Sequence, residues 1–219
     1  MGKEIDLLIH YPKPKRDIAE RGLTKTKEDR ELARQFGKEF FDGDRKYGYG
    51  GFNYDPRFWQ PVISTFQTYW RLTSENSVLD VGCAKGFMMH DLVECIPGVT
   101  VRGIDISEYA ISHAIEDMKP NVQVGDALHL PFEDHSFDVV ISITTLHNLE
   151  KEECGKALQE IERVSKGKSF ITVDAYRNEE EKNRMYNWNL TAKTIMSVED
   201  WVNFFKEVGY TGDYYWFVP

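Results

Sequence analysis

The chain has 219 residues, 41% of them hydrophobic and 29% charged, with a net charge of −9. That length builds one domain of the larger common size with a sizeable core, and the balance excludes global disorder. The negative charge argues against a general nucleic-acid surface, leaving room only for a local basic patch.

The three cysteines, Cys83, Cys95 and Cys154, have no metal-ligand spacing. Together with an N-terminus lacking an apolar signal core, they read as reduced thiols in a cytoplasmic protein. No run approaches the roughly 18 apolar residues of a membrane span. There are no internal repeats or low-complexity tracts.

In chain order, Ile5 to Ile9 is a short apolar run, an arm or an edge strand. Basic residues outnumber acidic ones from Lys13 to Lys38. Thr26 and Asp29 have capping-box spacing, and Leu32, Ala33, Phe36 and Phe40 repeat at helical spacing, which predicts a helix over 27–41. Its charges read as a solvated face, or as a patch drawing in an anionic substrate. Residues 43–59 mix glycine, aromatics and arginine without a period. They read as a lid over a site, contributing Tyr47, Tyr49, Tyr54 or Arg57, or as a loop pinned to the core by its rings. The chain divides accordingly: residues 1–59 as helical extension and lid, 60–219 as the main domain. Gln60 to Arg71 predicts a helix with Pro61 in its first turn.

Val78 to Asp105 organises the rest of the chain. A short apolar run ends at Gly82-Cys83-Ala84-Lys85-Gly86, a helical pattern comes next, and a second apolar run ends at Asp105. This is one βαβ unit, whose turn aims backbone N–H groups at a nucleoside-bearing ligand and whose Asp105 faces its ribose. The alternation continues. Ser107 caps a helix, Val122 to Val124 is a strand, and Phe137 to Ile143 is an uninterrupted apolar strand. Lys151 to Ser165 is a helix, Ser169 to Asp174 a strand, Ser197 to Gly209 a capped helix and Asp213 to Val218 a final strand. The reading is a three-layer, doubly wound, mostly parallel α/β/α sheet with ligands at the carboxyl ends of its strands. Ala175 to Met196 is the least readable segment. Tyr186 and Trp188 within it reach the same edge.

The glycine spacing, Asp80-x-Gly82-x-x-x-Gly86, misses the dinucleotide fingerprint. It resembles motif I of the class I S-adenosylmethionine-dependent methyltransferases, with Ala84 in place of the middle glycine. Gly103-Ile104-Asp105-Ile106-Ser107 resembles motif II of that family. Gly125-Asp126-Ala127 resembles its adenine-binding turn, and Phe137-Asp138 through Leu146-His147-Asn148-Leu149 resembles motif IV. The resemblance covers roughly residues 60 to 174. It implies a Rossmann-like fold of about seven strands with an antiparallel C-terminal strand, and S-adenosylmethionine as cofactor. It further implies that Asp80 reaches the methionine ammonium. Gly82, Cys83, Ala84 and Gly86 form the close backbone turn, and Asp105 accepts from both ribose hydroxyls. Ile106 packs on adenine, Asp126 and Ala127 bond to the base, and the backbone at Ser142 or Ile143 touches the methionine end.

Methyl transfer is an in-line displacement in which positioning carries most of the burden. The candidate catalytic groups are His147, Tyr49 and Tyr54, with His147 equally readable as a packed structural residue. The candidate acceptor contacts are Tyr47, Arg57, Tyr186 and Trp188. The fourth strand lacks the Asn/Asp-Pro-Pro-aromatic signature of amino-methylating enzymes acting on nucleobases or glutamine, and no metal-ligand cluster stands out. These features favour a small-molecule oxygen or nitrogen acceptor. An RNA or protein acceptor, or a cofactor-binding protein without this chemistry, remains the alternative. A homodimer is left open, with no residue pointing to it.

Overall fold

The computed structural model describes residues 2–13, 18–50 and 53–219, without the side chains of residues 19–21. Pro14 to Asp17 of the basic run and Gly51 and Phe52 of the predicted lid lie outside the described residues. Nine α-helices and seven strands are described, and none of these helices is long and apolar enough to cross a membrane.

The sheet consists of β1 (Ser77–Val81), β2 (Thr100–Asp105), β3 (Val122–Val124), β4 (Val139–Ile143), β5 (Ser169–Tyr176), β6 (Met196–Ser197) and β7 (Asp213–Phe217). Its order is β3-β2-β1-β4-β5-β6, and β7 also pairs with β5, facing Phe170 to Asp174 while β6 faces Ala175 and Tyr176. Every pairing between strands is parallel. The chain winds outward from β1 to β3, then returns to lay β4 against the other side of β1. The gap between β1 and β4 is therefore the topological switch point, the crevice where open α/β sheets bind ligands.

The expected antiparallel terminal strand is not present. β7 pairs with β5 in parallel register, Phe170 opposite Asp213 and Asp174 opposite Phe217. The reason is the crossover. Helix α9 (Val198–Val208) carries the chain back to the start of the sheet, so the next strand rises in the same direction as β5. Leu190 to Ile195 supplies no strand; β6 lies just beyond it. The amino-terminal arm covers the far side of β7: Ile5 N–H donates to Tyr214 O at 3.0 Å, Tyr214 N–H to Lys3 O at 3.0 Å, and Leu7 is buried.

Period-two alternation divides the sheet's side chains between two cores. On one face Leu79, Val140 and Ile171 meet Ile161 of α7 (Lys151–Val164) and Trp201 and Phe205 of α9. On the other, Val78, Val101 and Ile141 meet Val62 and Phe66 of α4 (Pro56–Trp70) and Met89 and Leu92 of α5 (Phe87–Cys95). Both faces are covered, so these strands read as continuous apolar runs.

The predicted helix over 27–41 is two helices, α2 (Lys27–Ala33) and α3 (Lys38–Asp42), preceded by α1 (Ile18–Thr24). The Thr26–Asp29 capping box forms, and the break comes at Phe36, whose φ of 48° cannot continue a right-handed helix. Helix α4 starts at Pro56 behind an Asp55 cap, so the line between residues 59 and 60 falls inside it.

Candidate cofactor and acceptor site

The turn after β1 is built by backbone constraints. Gly82 has φ +87°, and a Cβ there would lie 2.1 Å from Thr145 Oγ1 and 2.5 Å from Thr145 Cγ2. Thr145 comes shortly after β4, so only glycine lets the switch-point loops approach this closely. Gly82 and Cys83 donate their N–H groups to Ile104 O at 2.7 and 3.1 Å, fastening the turn to β2. Gly86, at φ +78°, opens α5. Ala84 also takes a left-handed backbone, φ 49°.

Asp105 joins this turn to the next one. Its carboxylate accepts Ala84 N–H at 2.8 Å and Ser107 N–H at 2.9 Å. Burial raises its pKa, while these two bonds pull the other way. The turn after β3 is tied in as well, since Gly125 N–H donates to Asp105 O at 2.9 Å. Asp126 closes a local turn by accepting Leu128 N–H at 2.9 Å, and Ala127 packs against the core beside it. Ile106 stands out at the end of β2 with 58% of its surface exposed, an apolar platform. Ser142 turns its hydroxyl inward to Val81 O at 2.9 Å, so only its backbone serves the edge, and Ile143 beside it is half-buried. Cys83 is buried and its thiol is held protonated by burial and by Asp80 and Asp105.

Asp80 lies beneath this turn at 4% exposure. Its carboxyl makes no hydrogen bond among the described residues. Burial, then the charge of Asp105, push its pKa up to about 8.

The amino-terminal extension grips the same turns. Lys85 is buried and donates to Asp42 of α3, whose other oxygen accepts Tyr109 O–H at 2.9 Å. Ser107 O–H donates to Phe36 O. The extension also clasps the loop after α8 (Glu179–Trp188). Lys25 donates to Trp188 O at 3.4 Å, Arg30 to Asn189 O, and Arg34 to Thr191 O at 3.2 Å and Ala192 O at 3.4 Å. These side chains are therefore neither a purely solvated face nor an open patch. Their charges bind backbone carbonyls.

Tyr49 completes the clasp rather than standing as a base. Its hydroxyl accepts Leu190 N–H at 2.8 Å and Thr191 N–H at 3.3 Å, and burial raises its pKa. Its ring packs 5.6 Å from that of Trp188, which is buried and lies 6.1 Å from Phe217. Tyr54 packs against Phe87 and His90 in the first turn of α5. It donates to Asp91 on α5 at 2.6 Å, and burial and that carboxylate push its pKa up to about 12. Arg57 pairs with Asp55 at the start of α4, at 2.6 Å, with its side chain exposed. Tyr47 lies under the Lys46 ammonium, 4.4 Å from the ring centre. Tyr186 is half exposed and lines a cleft of about 440 Å³ with Arg34, Glu150, Asn189 and Lys193.

His147 is a structural post. It is 3% exposed, and burial pushes its pKa down to about 3, so the ring stays neutral. Asp174 N–H donates to its Nδ1 at 2.9 Å, which places the ring proton on Nε2. The 3.5 Å separation from Asp174 Oδ1 is consequently no ion pair. Its carbonyl accepts Lys193 N–H and Thr194 N–H, both at 3.0 Å. Sequence reasoning missed Asp42, Lys85 and Thr145. Nothing in their spacing marks them, because each acts through a contact that the fold creates.

The family description "Methyltransferase domain" matches residues 72–209, from the lead into β1 to the end of α9. The chain belongs to the methyltransferase family. It is 34% identical to a tRNA (carboxymethyluridine(34)-5-O)-methyltransferase of Arabidopsis thaliana over 148 residues, covering 66% of this chain and 34% of that one. It is 37% identical to a sterol 24-C-methyltransferase of Schizosaccharomyces pombe over 78 residues, 32% of this chain and 20% of that one. The chain thus spans about a third and a fifth of these relatives' lengths. Among solved structures, the MccD protein superposes with a TM-score of 0.53 at 25% identity, covering 66% of this chain and 68% of that one. The relatives' names differ in what they act on, so membership gives the family and not the acceptor.

Membership implies S-adenosylmethionine, a cation with a nucleoside, and the residues present fit it. Asp80 is a nearly buried carboxyl without a hydrogen-bond partner among the described residues, the group a cationic ligand would satisfy. Gly82 leaves a cradle, and Asp105 retains acceptor capacity beyond its two N–H bonds. Binding should therefore depend on pH. Below about pH 8 the Asp80 carboxyl holds a proton that a cationic ligand displaces. Affinity for S-adenosylmethionine is expected to rise roughly tenfold per unit between about pH 6 and 7.5. In the ligand-free protein the sign reverses. The folded state holds that proton more tightly than the unfolded chain, so this contribution to stability is complete below about pH 4 and lost as the pH rises through 8. Calorimetric titration of wild type and Asp80→Asn checks this; a flat wild-type affinity would rule it out.

Proposed function

We propose that the chain moves a methyl group from S-adenosylmethionine to an oxygen or nitrogen of a small-molecule acceptor. Asp105 holds the ribose, Asp80 the methionine ammonium, the Gly82–Gly86 turn the backbone contacts, Ile106 the adenine face, and Asp126 with Ala127 the base edge. Bound there, S-adenosylmethionine would supply an electrophilic methyl group for an acceptor oxygen or nitrogen, with homocysteine sulfur as the leaving atom. The protein's part is to orient both partners and exclude water. Burial pushes the pKa of His147 down to about 3, which makes its ring a poor proton acceptor.

One observation carries the choice of a small acceptor. Lys25, Arg30 and Arg34, three of the cations in the basic run, are directed onto carbonyls of the 188–192 loop, which draws them away from an RNA-binding stripe. Beside that loop lies an open, mainly polar cleft of about 440 Å³, lined by Arg34, Glu150, Tyr186 and Lys193. The chain as a whole carries a net charge of −9, which disfavours a phosphate backbone. The test is release of S-adenosylhomocysteine when the protein meets S-adenosylmethionine with a small-metabolite extract or with total tRNA. Release with the metabolite extract is expected; release with tRNA alone would overturn the small-acceptor reading.

A further inference from the structure

Five non-glycine residues among those described have a left-handed backbone: Phe36, Arg71, Ala84, His135 and Thr144. Thr144 is the one β-branched residue of the five, the type for which this conformation is least favourable. It comes directly after the last residue of β4. The parallel register places Asp80 opposite Ile141, and hence Gly82 level with Ile143 and Thr144 just beyond, at the mouth of the switch point.

The backbone here is fixed from three sides. Thr144 N–H donates to Thr172 O at 3.0 Å and to Thr172 Oγ1 at 2.9 Å. Asn148 Nδ2 reaches Thr144 O at 3.5 Å. Thr145 packs into the space left by the missing side chain of Gly82. Its neighbours Ile143 and Thr145 are half-buried and Leu146 and His147 buried, yet Thr144 is exposed. Its hydroxyl makes no hydrogen bond among the described residues. None of these contacts uses the threonine side chain. Glycine would satisfy every one of them without the strain, so the backbone alone does not account for this residue.

We propose that Thr144 is an acceptor-positioning residue, its hydroxyl bonding the nucleophilic oxygen or nitrogen at the β1–β4 mouth and aiming that atom's lone pair at the methyl group. The inference rests on the methyl-transfer reading. The strained turn holds one hydroxyl rigidly where the methionine end is placed. Threonine donates or accepts, which matches a neutral hydroxyl or amine nucleophile.

The two roles predict opposite signs for one substitution. Thr144→Gly relieves the left-handed strain, so its melting temperature is expected to rise by about 2–4 °C. S-Adenosylhomocysteine affinity stays within threefold of wild type by calorimetry. Turnover with the metabolite extract falls about 100-fold, and Thr144→Ser, which keeps the hydroxyl, stays within about fivefold of wild type. A stabilised Thr144→Gly with full turnover would overturn the proposal. So would a Thr144→Gly that loses stability and cofactor binding together, since that marks a structural residue. Failure of the wild type itself to bind S-adenosylhomocysteine would instead defeat the methyl-transfer reading.

Discussion

Asp105→Ala is expected to weaken S-adenosylhomocysteine binding by about 100-fold or more, measured by calorimetry. Two effects add. The ligand loses two charge-assisted hydrogen bonds to its ribose, each contributing about 1.5–3 kcal/mol. The protein loses the group that fastens the turn after β1 to the turn after β2, through Ala84 N–H and Ser107 N–H. Asp105→Asn separates them. Its amide oxygen can keep one backbone bond and one ribose bond, so an intermediate loss of about tenfold is expected. Removing the Asp105 charge also lowers the pKa of Asp80, because that charge is one of the two influences raising it. The pH dependence of ligand binding should therefore move to lower pH in Asp105→Asn. Unchanged affinity in Asp105→Ala would show that the ribose lies elsewhere.

Gly82→Ala is expected to lower the melting temperature by about 5–15 °C. A left-handed backbone costs an alanine about 1–2 kcal/mol, and overpacking typically adds about 1–3 kcal/mol. Each kcal/mol is worth about 2–4 °C in a chain of this size. Here the overlap has a named partner, Thr145 Oγ1 at 2.1 Å from the added methyl. Thr145→Ala in the same chain removes that oxygen and Cγ2 but keeps Cβ, 2.7 Å from the added methyl, so the double variant should recover part of the overlap cost and retain the backbone strain. Thermal melts of wild type, both single variants and the double variant close the cycle. A Gly82→Ala protein melting within about 2 °C of wild type would mean that the loops do not meet as described.

The legible parts of this fold are those that a local pattern determines. Apolar runs alternating with helical periods pointed to a doubly wound sheet, and Ser107, Ser197 and Gly209 marked helix ends that form where expected. The direction of β7 was not legible. Its own residues are compatible with either sense, and the choice depends on where α9 delivers the chain. The break between α2 and α3 was hidden too, since Phe36 and Phe40 keep helical spacing while their rings pack against each other across the bend, 5.2 Å apart.

The candidate site divides in the same way. The turn residues from Asp80 to Gly86, with Asp105 and Asp126, converge on one sheet edge because each sits at a strand end, and strand ends could be read from sequence. Tyr49, Tyr54 and Arg57 could be read as residue types but not as orientations. In the fold their polar ends face Leu190 N–H, Asp91 and Asp55. Long-range contacts also decided the basic segment: Arg30 and Arg34 lie 159 and 157 residues from their first carbonyl partners, beyond any local pattern.

A crystal structure of the chain grown with S-adenosylhomocysteine would decide where the cofactor lies. Both ribose hydroxyls are expected on the Asp105 carboxylate, adenine against Ile106, and the homocysteine sulfur at the mouth between Gly82 and Thr144. A nucleoside bound anywhere other than the carboxyl ends of β1, β2 and β4 would contradict that placement.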